Sequence, residues 1–167
     1  MEKHPKLISL ISFIIYVFLN YYFVSFSVAN QISGFSGELI DLNKLLDDIS
    51  HENLVLIIAI ITTILTTISL FIQYIIGKFL LVLFTSNVHG HLFYALFPKI
   101  FITVINIICM GLWQIHNLWF YMSTALIGSV LILLFFQYKK GNWKASFLFA
   151  APFIVDPLIS LGKAIFS

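Results

Sequence analysis

Asp156 is the acidic residue best placed for chemistry, because it lies inside an apolar stretch long enough to cross a membrane. An ionised carboxylate in the middle of a bilayer is costly, so an acid there usually has a function. In one interpretation, it takes up and releases a proton as part of a proton or cation path. In a second, it pairs with a polar group on another helix, for which Asn106, Gln73 and Lys78 are candidates.

Two prolines on either side of Asp156 allow a third interpretation. Pro157 has no N–H to donate, and proline disfavours helical geometry at the residue before it. A helix that breaks between Pro152 and Pro157 would place Asp156 at the outer membrane interface, next to free backbone carbonyls. The sequence leaves all three interpretations open.

The segment His89-Gly90-His91 contains two possible metal ligands, two positions apart. A metal site needs a third and usually a fourth ligand, and His51 and His116 are predicted on the opposite side of the membrane. We therefore expect no metal site here. The segment is instead predicted to be a polar turn between two spans, with Gly90 supplying the bend.

The sequence contains none of the common enzyme signatures. There is no His-Glu-x-x-His helix, no Gly-x-Ser-x-Gly elbow and no glycine-rich phosphate loop. All nine basic residues are lysines, whereas phosphate recognition favours the forked donors of arginine. We therefore expect no catalytic residues, no cofactor and no nucleic-acid partner.

The composition is that of an integral membrane protein. Hydrophobic residues make up 60% of the 167 residues, charged residues 10%, and mean hydropathy is +1.03. A soluble domain is about half apolar and about a quarter charged. These values argue against a soluble enzyme and a disordered chain. They favour an all-α, polytopic bundle of about five helices in the lipid bilayer, with residues 1–167 as one domain.

Five apolar stretches approach the roughly 20 residues that a spanning helix needs. They are predicted at residues 7–28, 54–77, 100–115, 118–137 and 145–163. The third is the weakest in its pattern, because Asn106 and Gln114 interrupt it. The second remains apolar as far as Phe84, but we expect its membrane part to end near Gly77.

Lysine placement predicts the orientation, because cytoplasmic connections are enriched in basic residues. With five spans, seven lysines fall on the side of the N-terminus and two on the other. The seven are Lys3, Lys6, Lys78, Lys99, Lys139, Lys140 and Lys144; the two are Lys44 and Lys163. The prediction is a cell-membrane protein with its N-terminus in the cytoplasm and its C-terminus outside. The fifth stretch is weakened by Pro152, Asp156 and Pro157, and four spans would return the C-terminus to the cytoplasm, so this alternative stays open. Heavy use of Ile, Lys, Phe and Asn hints at a bacterial source.

The outer connection, residues 29–53, is the longest polar stretch and is rich in acids. Apolar residues recur within it at helical spacing, which predicts a short amphipathic helix on the outer membrane surface. They are Leu39, Leu42, Leu46 and Ile49. The acidic face is either a solvated cover over the bundle or a contact for a cationic peptide.

One segment combines a long predicted helix, a short glycine-containing turn and the motif Phe93-Tyr94-Ala95-x-x-Pro98. This combination resembles the Ypt-interacting-protein (Yip) family of membrane proteins, many members of which carry a similar motif after such a turn. A basic connection and a final span with an early Pro152 also fit, so the resemblance covers roughly residues 54–165. The His-Gly-His turn, Asp156 and the short N-terminal region depart from the family pattern.

The resemblance implies a five-span protein that binds partners and has no catalytic residues. Tyr94 and Pro98 would then be structural. Bacterial members include accessory proteins of peptide-resistance exporters. The first hypothesis is therefore a non-enzymatic accessory or immunity subunit beside a membrane transporter, acting in antimicrobial peptide resistance. The alternative is a small oligomeric transporter or channel that uses Asp156.

Overall fold

Five α-helices form the secondary structure of the residues described by this computed structural model, which are 5–34, 51–85, 88–115 and 117–166. They are α1 (Pro5–Gly34), α2 (His51–Phe84), α3 (Phe93–Trp113), α4 (Leu118–Lys140) and α5 (Trp143–Phe166). Helix makes up 92% of these residues, and none of them is in a strand. Each helix is long and apolar enough to span a membrane. The predicted all-α membrane bundle is confirmed.

The helices form a closed ring. α1 packs against α2 and α3, α5 packs against α2 and α4, and α3 packs against α4, so the order around the ring is α1, α2, α5, α4, α3. Five successive crossings place the start of α1, the α2–α3 connection and the α4–α5 connection on one side of the bundle. We name this the first side, and the opposite one the second side. Which side faces the cytoplasm remains a prediction.

The helix ends differ from the predicted spans in two places that affect the site. α3 begins at Phe93 rather than at residue 100, so Pro98 and Lys99 lie inside the helix. Lys99 is therefore not part of the connection to which the sequence pattern assigned it. α2 continues without a break from His51 to Phe84, about 51 Å at 1.5 Å per residue. That its membrane part ends near Gly77 stays a prediction.

The outer connection is shorter than predicted, because α1 continues to Gly34 and α2 begins at His51. The predicted amphipathic helix lies outside the described residues, as do all four of its apolar positions. They are Leu39, Leu42, Leu46 and Ile49.

α2 and α5 approach each other closely at Gly77. A Cβ atom added there would lie 2.6 Å from the backbone oxygen of Phe149. Small residues at such crossings allow membrane helices to pack with their backbones in contact. Gly77 therefore holds the two helices together inside the bundle.

We predict that Gly77→Ala lowers the thermal unfolding midpoint by about 5 °C, because the added methyl group meets backbone atoms that cannot rotate away. Thermal unfolding of the purified protein in detergent, followed by tryptophan fluorescence, measures the change. Gly162→Ala is the matched control, since nothing lies within 4 Å of a Cβ there. Equal midpoints for the two variants would contradict the close approach.

Buried aromatic residues fill the first side of the ring. Phe149 stacks on Phe136 with ring centroids 4.5 Å apart, and Tyr94 meets Phe136 edge-to-face at 5.5 Å. Tyr74 meets Phe149 in the same way, and Phe153 is fully buried beside them. We name these five residues the aromatic cluster. It separates the interior of the ring from the first side.

Candidate functional site

A cavity of about 190 Å³ lies inside the ring, and all five helices line it. We name it the inner cavity. α4 contributes small residues, Ala125 and Gly128. Its polar lining comes from the other four helices and includes Asn20, Thr66, Ser69, Gln73, Lys99, Thr103, Asn106 and Asp156. A site of this kind is complete in one copy of the chain.

The inner cavity lies near the middle of the membrane-spanning part. Lys99 is six residues from the start of the 21-residue α3, and Asp156 is thirteen from the start of the 24-residue α5. At 1.5 Å per residue, these positions are about 9 Å and about 20 Å along their helices. Both charged groups are therefore inside the span and not at its ends.

Lys99 is partly buried and directed to the interior of the bundle. Its ammonium nitrogen, Nζ, lies 5.9 Å from the centre of the Phe153 ring, a cation–π distance. It also interacts electrostatically with Asp156, across the same cavity. The sequence pattern does not indicate this pair, because it places Lys99 in a connection that flanks a span. The signal that could have found it is the apolar segment Phe93–Phe97, which continues the helix past Lys99 towards the first side.

Asp156 is held by α2. Nε2 of Gln73 donates a hydrogen bond of 2.9 Å to Oδ2 of Asp156, and it also lies 3.1 Å from Oγ of Ser69. Of the three partners considered from the sequence, the structure has Gln73 in contact with the carboxylate. Asn106 lines the same cavity without a hydrogen bond to Asp156, and Lys78 is exposed elsewhere on α2.

Two buried amide oxygens in the inner cavity have no hydrogen-bond partner among the described residues. They are Oε1 of Gln73 and Oδ1 of Asn106. Their side chains are 8% and 7% exposed. Buried polar atoms are normally satisfied by protein or by ordered water. The cavity has room for several water molecules, which take about 30 Å³ each in the liquid, so the two oxygens are suited to hold water.

A hydrogen bond between α1 and α2 completes the polar lining. Nδ2 of Asn20 donates to Oγ1 of Thr66 at 2.5 Å, and Oγ1 of Thr66 donates to the backbone oxygen of Thr63 at 3.0 Å. Asn20 is buried, with an exposed fraction of 7%. Interhelical bonds of this kind fix the position of polar side chains inside a membrane bundle.

The prolines of α5 do not break the helix. α5 is continuous through Pro152 and Pro157, which removes the interpretation in which Asp156 begins an interfacial segment. Pro157 cannot donate to the carbonyl of Phe153, four residues earlier. Oγ of Ser129 on α4 donates to that oxygen instead. Neighbouring helices commonly satisfy the backbone groups that a membrane proline leaves free.

We predict that Ser129→Ala costs about 1 kcal/mol of stability, because the Phe153 oxygen loses its donor in a buried place. Unfolding in mixed detergent micelles measures this loss. Ser123→Ala on the same helix is the control, because Oγ of Ser123 bonds only within α4 to the oxygen of Trp119 and is exposed. The role of Ser129 is contradicted if both variants have the stability of the original chain.

The remaining motif residues have structural positions. Gly90 is buried, and a Cβ there would lie 2.8 Å from the Phe149 ring, so its lack of a side chain provides space. Gly90 lies in the connection between α2 and α3, as predicted, and its φ is not positive. Tyr74 donates to the Gly90 oxygen at 3.1 Å. Tyr94 and Pro98 are buried in α3. Among the described residues, no three His, Cys, Asp or Glu side chains are grouped to hold a metal.

Comparison of the chain with protein-family models, curated proteins and solved structures finds no match. The inner cavity is therefore the feature of the molecule that bears most on function. Its components are an acid, a base and two unpartnered acceptors inside a helical membrane bundle.

Proposed function

We propose that this chain is a small membrane transport protein that moves protons through the inner cavity, with Asp156 as the group that takes up and releases them. The observation that carries this proposal is an acid and a base lining one cavity near mid-membrane. Each charge is expensive there, and charged side chains inside membranes generally belong to ion paths or proton relays. Apolar residues would make a more stable bundle if these groups only supported packing.

The chemistry follows from the groups around Asp156. Its carboxylate accepts a hydrogen bond from Gln73, and the positive charge of Lys99 across the cavity offsets its negative charge. Water held at Oε1 of Gln73 and Oδ1 of Asn106 would pass protons to and from the carboxyl group. Gln73 and Lys99 thus stabilise the carboxylate inside the bundle, and the relay requires that this carboxylate accepts protons from the water and returns them.

The aromatic cluster prevents a continuous column of water. Phe136 and Phe149 are fully buried and stacked between the inner cavity and the first side. Protons then pass only when these side chains rearrange, which gives the slow turnover of a transporter and not the rate of an open channel. Conformational steps of this type take microseconds to milliseconds.

The test is proton uptake into liposomes that contain the purified chain. A potassium gradient with valinomycin supplies the driving potential, and a trapped pH-sensitive dye reports the internal pH. We expect faster acidification than in protein-free liposomes of the same lipid. Equal rates in the two preparations, with the protein shown to be inserted and folded, would contradict the proposal.

A second candidate is the accessory role beside a transporter, which the family resemblance implies. The observation that favours it is an apolar groove of about 450 Å³ between α1 and α2. Oγ1 of Thr63 lies in this groove, buried and without a partner among the described residues. A partner helix would fill the groove and bond to Thr63. Crosslinking in the native membrane, followed by mass spectrometry, tests this candidate.

A further inference from the structure

A second depression opens on the lipid-facing surface, between α2 and α5, with a volume of about 570 Å³. Its sides are apolar, with Ile72 and Ile76 on α2 and Val155 and Ile159 on α5. We name it the lateral groove. Pockets for small organic ligands commonly measure about 300–1,000 Å³ and are mostly apolar, so its size and lining fit such a ligand.

The lateral groove and the inner cavity share their polar residues. Ser69, Gln73 and Asp156 line both, so the Gln73–Asp156 hydrogen bond lies at the boundary between them. The side chain of Asp156 is exposed on the bundle surface. A molecule in the groove therefore reaches the carboxylate from the lipid. Gln73, which donates to the carboxylate, lines the groove beside it and holds the carboxylate in place.

The charges around the groove select the sign of the ligand. Among the described residues that line the lateral groove, Asp156 is the one that carries a charge. Lys99 lines the inner cavity but not the groove. A carboxylate attracts a positive group, while isoleucine and valine side chains favour an apolar body. An acyl chain of lipid would fill the same volume but bring no positive group to the carboxylate.

We propose that the lateral groove binds an amphipathic, monovalent organic cation that enters from the lipid and pairs with Asp156. Binding displaces the proton of the protonated acid: the carboxyl group loses H⁺ to water, and the ligand's positive charge takes its place. No covalent bond to the ligand forms. The exchange of proton and cation depends on the proposed transport function, whereas the binding site depends on the groove alone.

Tetraphenylphosphonium is a suitable probe, and tetraphenylborate, which has the same shape and a negative charge, is its control. Equilibrium dialysis against the whole protein in lipid nanodiscs, with empty nanodiscs subtracted, measures binding of both. We expect saturable binding of the phosphonium alone, weakened about tenfold or more in Asp156→Asn. Ala151→Phe, which fills the groove without touching the inner cavity, should weaken it similarly. Lys99→Met should strengthen it, because a competing positive charge is removed.

The inference is overturned if phosphonium and borate bind equally, or if neither Asp156→Asn nor Ala151→Phe changes the affinity. Proton release on phosphonium binding, followed with a pH dye in weak buffer, separates the two proposals. One outcome is that phosphonium binds in an Asp156-dependent way but no proton is released on binding and no proton uptake occurs in liposomes. That outcome would support binding in the lateral groove and contradict the transport function. Proton uptake into liposomes without such binding would overturn the groove alone.

Discussion

Asp156→Asn should reduce proton uptake into liposomes to the rate of protein-free liposomes. Asparagine keeps the size of the side chain and can still accept a hydrogen bond from Gln73. Its amide, unlike a carboxylate, does not take up and release a proton near neutral pH. The expected effect is a complete loss of activity with the helices still folded. Circular dichroism and size-exclusion chromatography check that the variant is assembled.

Two further variants show whether this loss is specific. Asp156→Glu retains an exchangeable acid and should keep part of the activity. Lys163→Gln also removes a charge from α5, but at an exposed position outside the inner cavity, and should leave proton uptake unchanged. Full activity in Asp156→Asn would rule out the carboxylate as the proton-carrying group.

The second large effect concerns stability. Lys99→Met and Asp156→Asn should each lower the free energy of unfolding by about 1 kcal/mol, because each removes the attraction between a half-buried lysine and an exposed carboxylate across the inner cavity. The double variant Lys99→Met/Asp156→Asn should recover most of that loss and still be inactive. Unfolding in mixed micelles of denaturing and mild detergent gives the four stabilities of the cycle.

This cycle separates stability from activity. If Lys99 and Asp156 had only a structural role, the double variant would recover both the stability and the proton uptake of the original chain. Lys78→Met is the matched control for loss of a lysine, since Lys78 lies on the exposed surface of α2 and does not line the inner cavity. Additive losses from Lys99→Met and Asp156→Asn would show that the two charges do not interact.

The membrane helices follow directly from the sequence, because long apolar stretches have few alternatives in a bilayer. Asp156 also stood out, since a single acid in such a stretch is conspicuous without knowledge of its neighbours. The sequence alone offers three candidate partners for Asp156. The one that contacts it, Gln73, is 83 positions away in the chain. Which helices are adjacent depends on packing over the whole bundle, which local patterns do not encode.

Lys99 shows why part of the site was missed. Lysine next to proline is typical of a connection, and the span was therefore predicted to begin at residue 100. The helix begins at Phe93 because Phe93 to Phe97 contribute to the buried aromatic cluster and to the lipid-facing surface. The packing of Phe93 to Phe97 thus outweighs the preference of the Pro98–Lys99 pair for a connection. The same applies to Pro157, whose missing donor is replaced by Ser129 from another helix.

Difference infrared spectroscopy of the protein in lipid, recorded across a pH titration, tests the central claim most directly. The absorption of a protonated carboxyl group distinguishes the two states of an aspartic acid. The other six acidic residues titrate in both proteins, so we expect the difference between the two titrations to contain one carboxyl band that appears and disappears reversibly with pH. Identical titration spectra for the two proteins would show that Asp156 exchanges no proton and would contradict proton transport through the inner cavity.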